Sequence, residues 1–121
     1  MMTSTRSTGL QGESMAARYL ENNGYVILER NTRTPYGEID LVTRQSSVTV
    51  FVEVKTRRST RYGNPEESVT SIKRAHLLSA IQSYLQSHPE LDGDWRVDVI
   101  AIQLGNSANG LVLTHFENAI S

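Results

Sequence analysis

The sequence predicts an α/β fold in which a mixed central sheet is flanked by helices, a three-layer sandwich. Three observations lead there. Two segments, Glu38 to Arg44 and Val48 to Lys55, alternate with a period of two. Two others, Gln11 to Asn23 and Val69 to Ser87, carry apolar residues at helical spacing. The element order then reads helix, strand, strand, strand, helix, strand, strand, with no internal repeat and no linker.

The first helix rests on Ala16, Ala17 and Leu20, good helix formers around them, and Gly24 as a C-terminal stop. Tyr25 to Asn31 reads as a strand, and Thr34-Pro35-Tyr36-Gly37 as a turn leading into the two alternating strands. Thr56 to Pro65 holds Arg57, Arg58 and Arg61 without a sustained pattern, so an exposed basic loop is expected. Ile72, Leu77, Leu78, Ile81, Tyr84 and Leu85 mark the longest helix, with Pro89 beyond its end. Trp95 to Leu104 and Leu111 to about Phe116 are the last strands, divided by a turn over Gly105 to Gly110.

A chain of 121 residues fits one domain, expected over residues 10–121, with 1–9 as a flexible Ser/Thr-rich tail. An apolar fraction of 38% with 21% charged residues is that of a globular chain. Cysteine is absent, which excludes a disulfide framework and a thiolate zinc site, so any metal would be held by oxygen. The opening residues lack the apolar core of a signal peptide or anchor, and a cytoplasmic protein with no membrane partner is expected. With 12 basic and 13 acidic residues the net charge is -1, which does not point to a polyanion. Its distribution does: Arg30 to Arg74 holds nine Lys/Arg against five acids. That basic middle fits nucleic acid, although a solvated charged surface would look the same.

The chemistry emerges from the register of the central hairpin. With its turn centred on Ser46 and Ser47, paired positions sum to 93 and Asp40 faces Glu53. The same register sets Glu38 against Lys55, and Ile39, Leu41 and Thr43 against Val54, Val52 and Val50. One face is then apolar and the other gathers three carboxylates and a lysine. Facing carboxylates repel, so they need a partner. Lys55 could serve in a surface ion ladder, or Asp40 and Glu53 could share Mg²⁺ or Mn²⁺. Phe51 and Val42 on the charged face suggest cover by a helix, which favours the metal. Glu13 lies on the apolar stripe of the first helix with Ala16, Ala17 and Leu20, so it can point inward as a third acid.

Asp40 in Gly37-Glu38-Ile39-Asp40-Leu41, followed by Glu53-Val54-Lys55, resembles the PD-(D/E)xK pattern of restriction-endonuclease-like nucleases. Gly12-Glu13, Ala16-Ala17-Arg18-Tyr19-Leu20, Gly24-Tyr25, Arg30-Asn31, Tyr62-Gly63-Asn64-Pro65, Lys73 and Arg96-Val97-Asp98-Val99 together resemble the YraN family of small bacterial proteins. That family is itself similar to archaeal Holliday-junction resolvases. The resemblance implies a restriction-endonuclease-like three-layer sandwich and a metal-dependent nuclease acting on branched or junction DNA. It makes Glu13, Asp40, Glu53 and Lys55 the catalytic set, with Asp40, Glu53 and Glu13 holding the metal and Glu38 and Asp98 as accessory positions. Arg57, Arg58, Arg61, Lys73 and Arg74 would bind phosphate. A homodimer is suggested by the resolvases alone. Two other classes stay open, a non-catalytic nucleic-acid-binding protein that keeps the fold and a structural or partner-binding protein. His76, His88 and His115 have no metal-like spacing and are expected at the surface or a helix edge, with Trp95 and Tyr84 in the core.

Overall fold

Alternating apolar side chains give the chain a sheet to bury, and two helices bury it from opposite sides. A computed structural model describes residues 5–57, 71–105 and 111–120, with side chains described from residue 11. The elements are α1 (Thr5–Asn22), β1 (Val26–Thr34), β2 (Gly37–Gln45), β3 (Val48–Arg57), α2 (Ser71–Ser87), β4 (Trp95–Gln103) and β5 (Val112–Ile120). The strands form one sheet in chain order, with β3 and β4 parallel and every other neighbouring pair antiparallel. The parallel step is spanned by the segment holding α2, as a crossover connection must be. This is the mixed, helix-flanked α/β sandwich expected from the sequence.

The core has two halves. Val42, Phe51, Val97 and Val99 pack beneath Leu77, Ala80, Ile81 and Tyr84 of α2. Leu41, Val50, Val52, Ile100 and Ile102 pack against Ala16, Ala17 and Leu20 of α1 and against Tyr25. Val97 and Val99 fall in the first half and Ile100 and Ile102 in the second, the alternation that a strand buried on both faces requires. Phe51 meets Tyr84 and Trp95 edge-on, with ring centroids 5.8 and 6.0 Å apart, so both aromatics belong to the core as expected.

Several boundaries moved. α1 starts at Thr5, so half of the segment read as a tail is helical in its backbone, and residues 1–4 lie outside the described ones. Once Ala16, Ala17 and Leu20 fix a helix against the sheet, adding turns costs little even with weak formers. β3 runs through Arg57, two residues into the expected loop, because Thr56 and Arg57 pair with Ile102 and Gln103 of β4. The rest of that loop, with Arg58 and Arg61, lies outside the described residues, as does most of the turn expected over Gly105 to Gly110. α1 ends as read: Gly24 takes φ 88°, and the Tyr25 amide donates to Leu20 O at 3.0 Å.

At its other end α1 lies close to β3. A Cβ on Gly12 would run into Thr56 Oγ1 and come within 3.0 Å of Thr56 Cβ, so only glycine lets the helix reach the strand here. Gly12→Ala is expected to cost about 1–3 kcal/mol in urea denaturation by forcing the two elements apart. Thr56→Ala in the same chain is expected to restore most of the loss. Equal destabilisation with and without Thr56→Ala would show that this contact does not set the helix position.

Candidate functional site

The antiparallel pairing of β2 with β3 runs from Gln45↔Val48 to Leu41↔Val52, in the register the sequence predicts. It stops there. The expected ladder partners Asp40 and Glu53, Ile39 and Val54, and Glu38 and Lys55 are not paired through their backbones. On its other side β2 pairs with β1 at Leu41↔Arg30 and again at Ile39↔Thr32, passing over Asp40 and Asn31, and Asn31 adopts φ 52°. Asp40 therefore sits at a local irregularity in the middle of a sheet. Side-chain alternation breaks there as well. Leu41 packs on the α1 side while Ile39, two residues away, packs on the α2 side, which corrects the expectation that both share one face.

The irregularity has a clear cause. The next β3 amide turned towards β2 is that of Val54, and Asp40 Oδ2 accepts its hydrogen bond at 2.8 Å. A side-chain carboxylate replaces a backbone carbonyl as the ladder acceptor, which fixes Asp40 near the plane of the sheet. Glu13 arrives from α1 on one side, and Glu53 and Lys55 project with Phe51 towards α2 on the other. One oxygen each from Glu13, Glu38 and Asp40 lies within 4.8 Å of the others. Glu53 is close enough to act on Asp40 and Glu13 through its charge, but its Oε1 is turned to Lys55 Nζ at 3.1 Å.

The three-carboxylate group so formed contains Glu38, which the sequence placed only among accessory positions, and Lys55 pairs with Glu53 rather than Glu38. Alternation already sets Glu38 and Asp40 on one face, but it says nothing of their distance from Glu13.

Electrostatics set this cluster apart from an ordinary ion network. Burial pushes the Asp40 carboxyl up to about 8, aided by the charges of Glu53 and Glu13 and opposed by the Val54 amide and Lys55. Glu13 is also raised, chiefly by burial, against the hydrogen bond of its side chain with Asn31. Among the described residues, Glu13 Oε2 is buried without a hydrogen-bond partner. Acids this crowded must either hold protons or share a cation. The residues fit a divalent ion: oxygen donors only, a converging triad, and an orphaned carboxylate oxygen in it.

A cavity of about 270 Å³ opens beside the cluster, lined by Glu38, Glu53 and Lys55, by Tyr36 and Gly37, and by Lys73, His76, Leu77 and Ala80 of α2. Lys73 thus reaches the site, whereas Arg74 is exposed on α2 outside that lining and Arg57 ends β3, its carbonyl accepting from Leu104 N at 2.6 Å. Tyr36, His76 and Asn31 were missed. For His76 a signal existed: it shares one helical face with Lys73, Leu77 and Ala80 at spacings of three, four and seven.

Asp98 stands apart from the cluster. It is fully buried on the α1 side, and its carboxylate accepts from Arg96 Nε at 3.0 Å, Arg96 Nη2 at 3.3 Å, His115 Nε2 at 2.7 Å and the Asn118 amide at 2.9 Å. Tyr19 bonds the other ring nitrogen of His115 at 3.0 Å, and Tyr25 accepts from Arg96 at 2.9 Å. His115 is therefore a largely buried member of a network, which corrects its expected surface position. His88 stacks on Tyr84 with ring centroids 3.9 Å apart.

The raised Asp40 carboxyl makes stability depend on pH with a definite sign. Its folded value lies above its ordinary 3.8, so the folded chain holds a proton that the unfolded chain has lost. Without metal, stability falls as pH rises from about 4 to about 8 and levels off beyond. Asp40→Asn, which can still accept from Val54, is expected to raise the melting temperature in chelator, most near pH 8 and least near pH 4. A gain independent of pH would show that the ionised carboxylate is not the strained group.

The family model described as "Uncharacterised protein family UPF0102" matches residues 12–102, a span that holds Glu13, Glu38, Asp40, Glu53 and Lys55. The chain is 53% identical over 97 residues to the UPF0102 protein of Syntrophomonas wolfei, covering 80% of this chain and 84% of that one. It is 41% identical to the UPF0102 protein of Roseiflexus castenholzii, covering 98% of each. Among solved structures, EndoMS in complex with dsDNA2 aligns at a TM-score of 0.47 and 18% identity, over 80% of this chain but only 36% of that one. SfsA of Pyrococcus furiosus in complex with Ca²⁺ aligns at 0.40 and 16%, over 98% of this chain and 65% of that one. The match to the family model and the identity to its members agree: the chain belongs to family UPF0102, the YraN group whose motifs its sequence carries.

Proposed function

We propose that this protein is a divalent-metal-dependent nuclease that hydrolyses phosphodiester bonds in DNA, with branched or junction DNA as its substrate class. The observation that carries the reading is the convergence of Glu13, Glu38 and Asp40 around a buried, unpartnered carboxylate oxygen, with the Glu53–Lys55 pair beside it.

Glu13, Glu38 and Asp40 would hold Mg²⁺ or Mn²⁺, with Glu53 close enough in charge to contribute. When bound, the cation supplies Lewis-acid stabilisation of charge gathering on the phosphate and eases ionisation of the attacking water. Lys55 places a positive charge at the cavity wall, where it orients that water and offsets charge on the phosphate. Glu53, bonded to Lys55, fixes the ammonium in place. Lys73 and His76 line the opposite, α2 side of the cavity and can bind phosphate oxygens. His76 also brings an imidazole ring to that wall.

Incubation with linear, flapped and four-way DNA should give Mg²⁺- or Mn²⁺-dependent cleavage that prefers branched substrates. Asp40→Asn and Lys55→Ala are expected to lower the rate by about 100-fold or more. Lys73→Ala is expected to weaken DNA binding and shorten its salt slope by about one. Salt-sensitive binding with no cleavage of any substrate would favour a non-catalytic nucleic-acid-binding protein, and neither binding nor cleavage would overturn both readings.

A further inference from the structure

Tyr36 has the site cavity on one side and a second cleft on the other. That cleft has a volume of about 390 Å³, within the range of small-molecule sites, and runs between the β1–β2 turn and the outer face of α2. Its walls are Tyr36 with Pro35, and Leu78, Ser79, Gln82, Ser83 and Gln86. The contrast between the two spaces is chemical. The first gathers Glu38, Glu53, Lys55, Lys73 and His76, while among the described residues the second is lined by no ionisable group but the Tyr36 phenol. From Ala75 to Ser87 the helix carries no Asp, Glu, Lys or Arg, although Gln82, Gln86 and Ser87 are exposed. An exposed helical face is ordinarily where charges collect.

The aromatic that divides them is presented, not buried. Tyr36 is 55% exposed, and its turn is held from within. Thr34 Oγ1 donates to Gly37 O at 2.8 Å and accepts from the Tyr36 amide at 3.1 Å. Pro35 restricts the backbone before the ring, and Gly37 supplies φ 135° after it. An exposed ring on a braced turn costs little entropy to use as a contact surface.

We infer that this cleft binds an unpaired nucleobase, stacked on Tyr36 and hydrogen-bonded by the amides and hydroxyls of α2, next to a phosphate in the charged cavity. The inference rests on the nuclease reading and deepens it by naming what the site recognises. Phosphate would gain nothing from an uncharged cleft, whereas a base offers a flat face for the ring and polar edges for Gln82, Gln86, Ser79 and Ser83. Leu78 gives an apolar wall. Because both spaces share Tyr36, the base and the phosphate belong to neighbouring parts of one strand. A base inside a duplex is already stacked and paired, so the cleft selects DNA with an unpaired nucleotide at the cleavage point. A branch or flap provides one without the cost of opening a duplex.

The test separates base recognition from phosphate binding and from catalysis. Binding of a short single-stranded deoxyoligonucleotide, and of the same strand built from abasic residues, is measured by fluorescence anisotropy in chelator. The wild-type chain is expected to prefer the base-bearing strand by about 10-fold, near the lower part of the range for one stacked base. Tyr36→Ala is expected to remove that preference, and Tyr36→Phe to keep it. Gln82→Glu, which puts a charge in the cleft without touching the turn, is expected to reduce it as well. No preference in the wild type, or a preference retained in Tyr36→Ala or in Gln82→Glu, overturns the inference. If cleavage with Mg²⁺ persists in that case, the nuclease reading survives alone. A base preference without any cleavage would leave the cleft standing and remove the nuclease.

Discussion

The structure turns on a repulsion. Glu13, Glu38, Asp40 and Glu53 crowd the point where the β2–β3 ladder breaks off, and Asp40 is buried enough for its carboxyl to keep a proton up to about pH 8. A fold does not gain stability from such a group, since burial and like charge both act against it. The surrounding features hold it in place nonetheless. The Val54 amide anchors Asp40, Asn31 in a left-handed conformation reaches Glu13, and Gly12 lets α1 come close enough to deliver that glutamate. Each is a local departure from regular structure, and all of them serve the same few ångströms.

Asp98 shows how the same sheet treats a carboxylate whose two oxygens are fully partnered. It is more deeply buried than Asp40, yet Arg96, His115 and the Asn118 amide satisfy both of its oxygens. Its network ties α1, β1, β4 and β5 together through Tyr19 and Tyr25. Among the carboxylates around Asp40, Glu53 is paired with Lys55, yet an orphaned oxygen remains. Burial alone does not distinguish the two acids. The completeness of their partners does.

Much of this was legible in the sequence because periodicity is a direct physical record of burial. The alternation of Val48 to Lys55 gave the hairpin register, and Glu13 could be placed on the inner stripe of its helix from its spacing to Ala16, Ala17 and Leu20. What periodicity cannot record is its own interruption. Ile39 and Leu41 read as one face, and nothing in their identity reveals that Asp40 will take a ladder amide and turn them to opposite sides. Glu38 was placed on the charged face but undervalued, because its closeness to Glu13 depends on how α1 sits on the sheet. His76 and Tyr36 were missed because each depends on a contact between the start of β2 and α2, which lie more than thirty residues apart. His115 was misplaced because an edge strand looks exposed in sequence, whereas its side chain turns inward to Asp98.

The central claim is that these acids exist to share one cation. Calorimetric titration with Mn²⁺ tests it without reference to any substrate. The wild-type chain should take up one ion, with uptake tightening as pH rises towards about 8, where the Asp40 proton no longer has to be displaced. Asp40→Asn should abolish the heat. A wild-type chain that takes up no ion at pH 8, or an Asp40→Asn chain that binds as well, would contradict the account and leave the cluster a protonated structural pair.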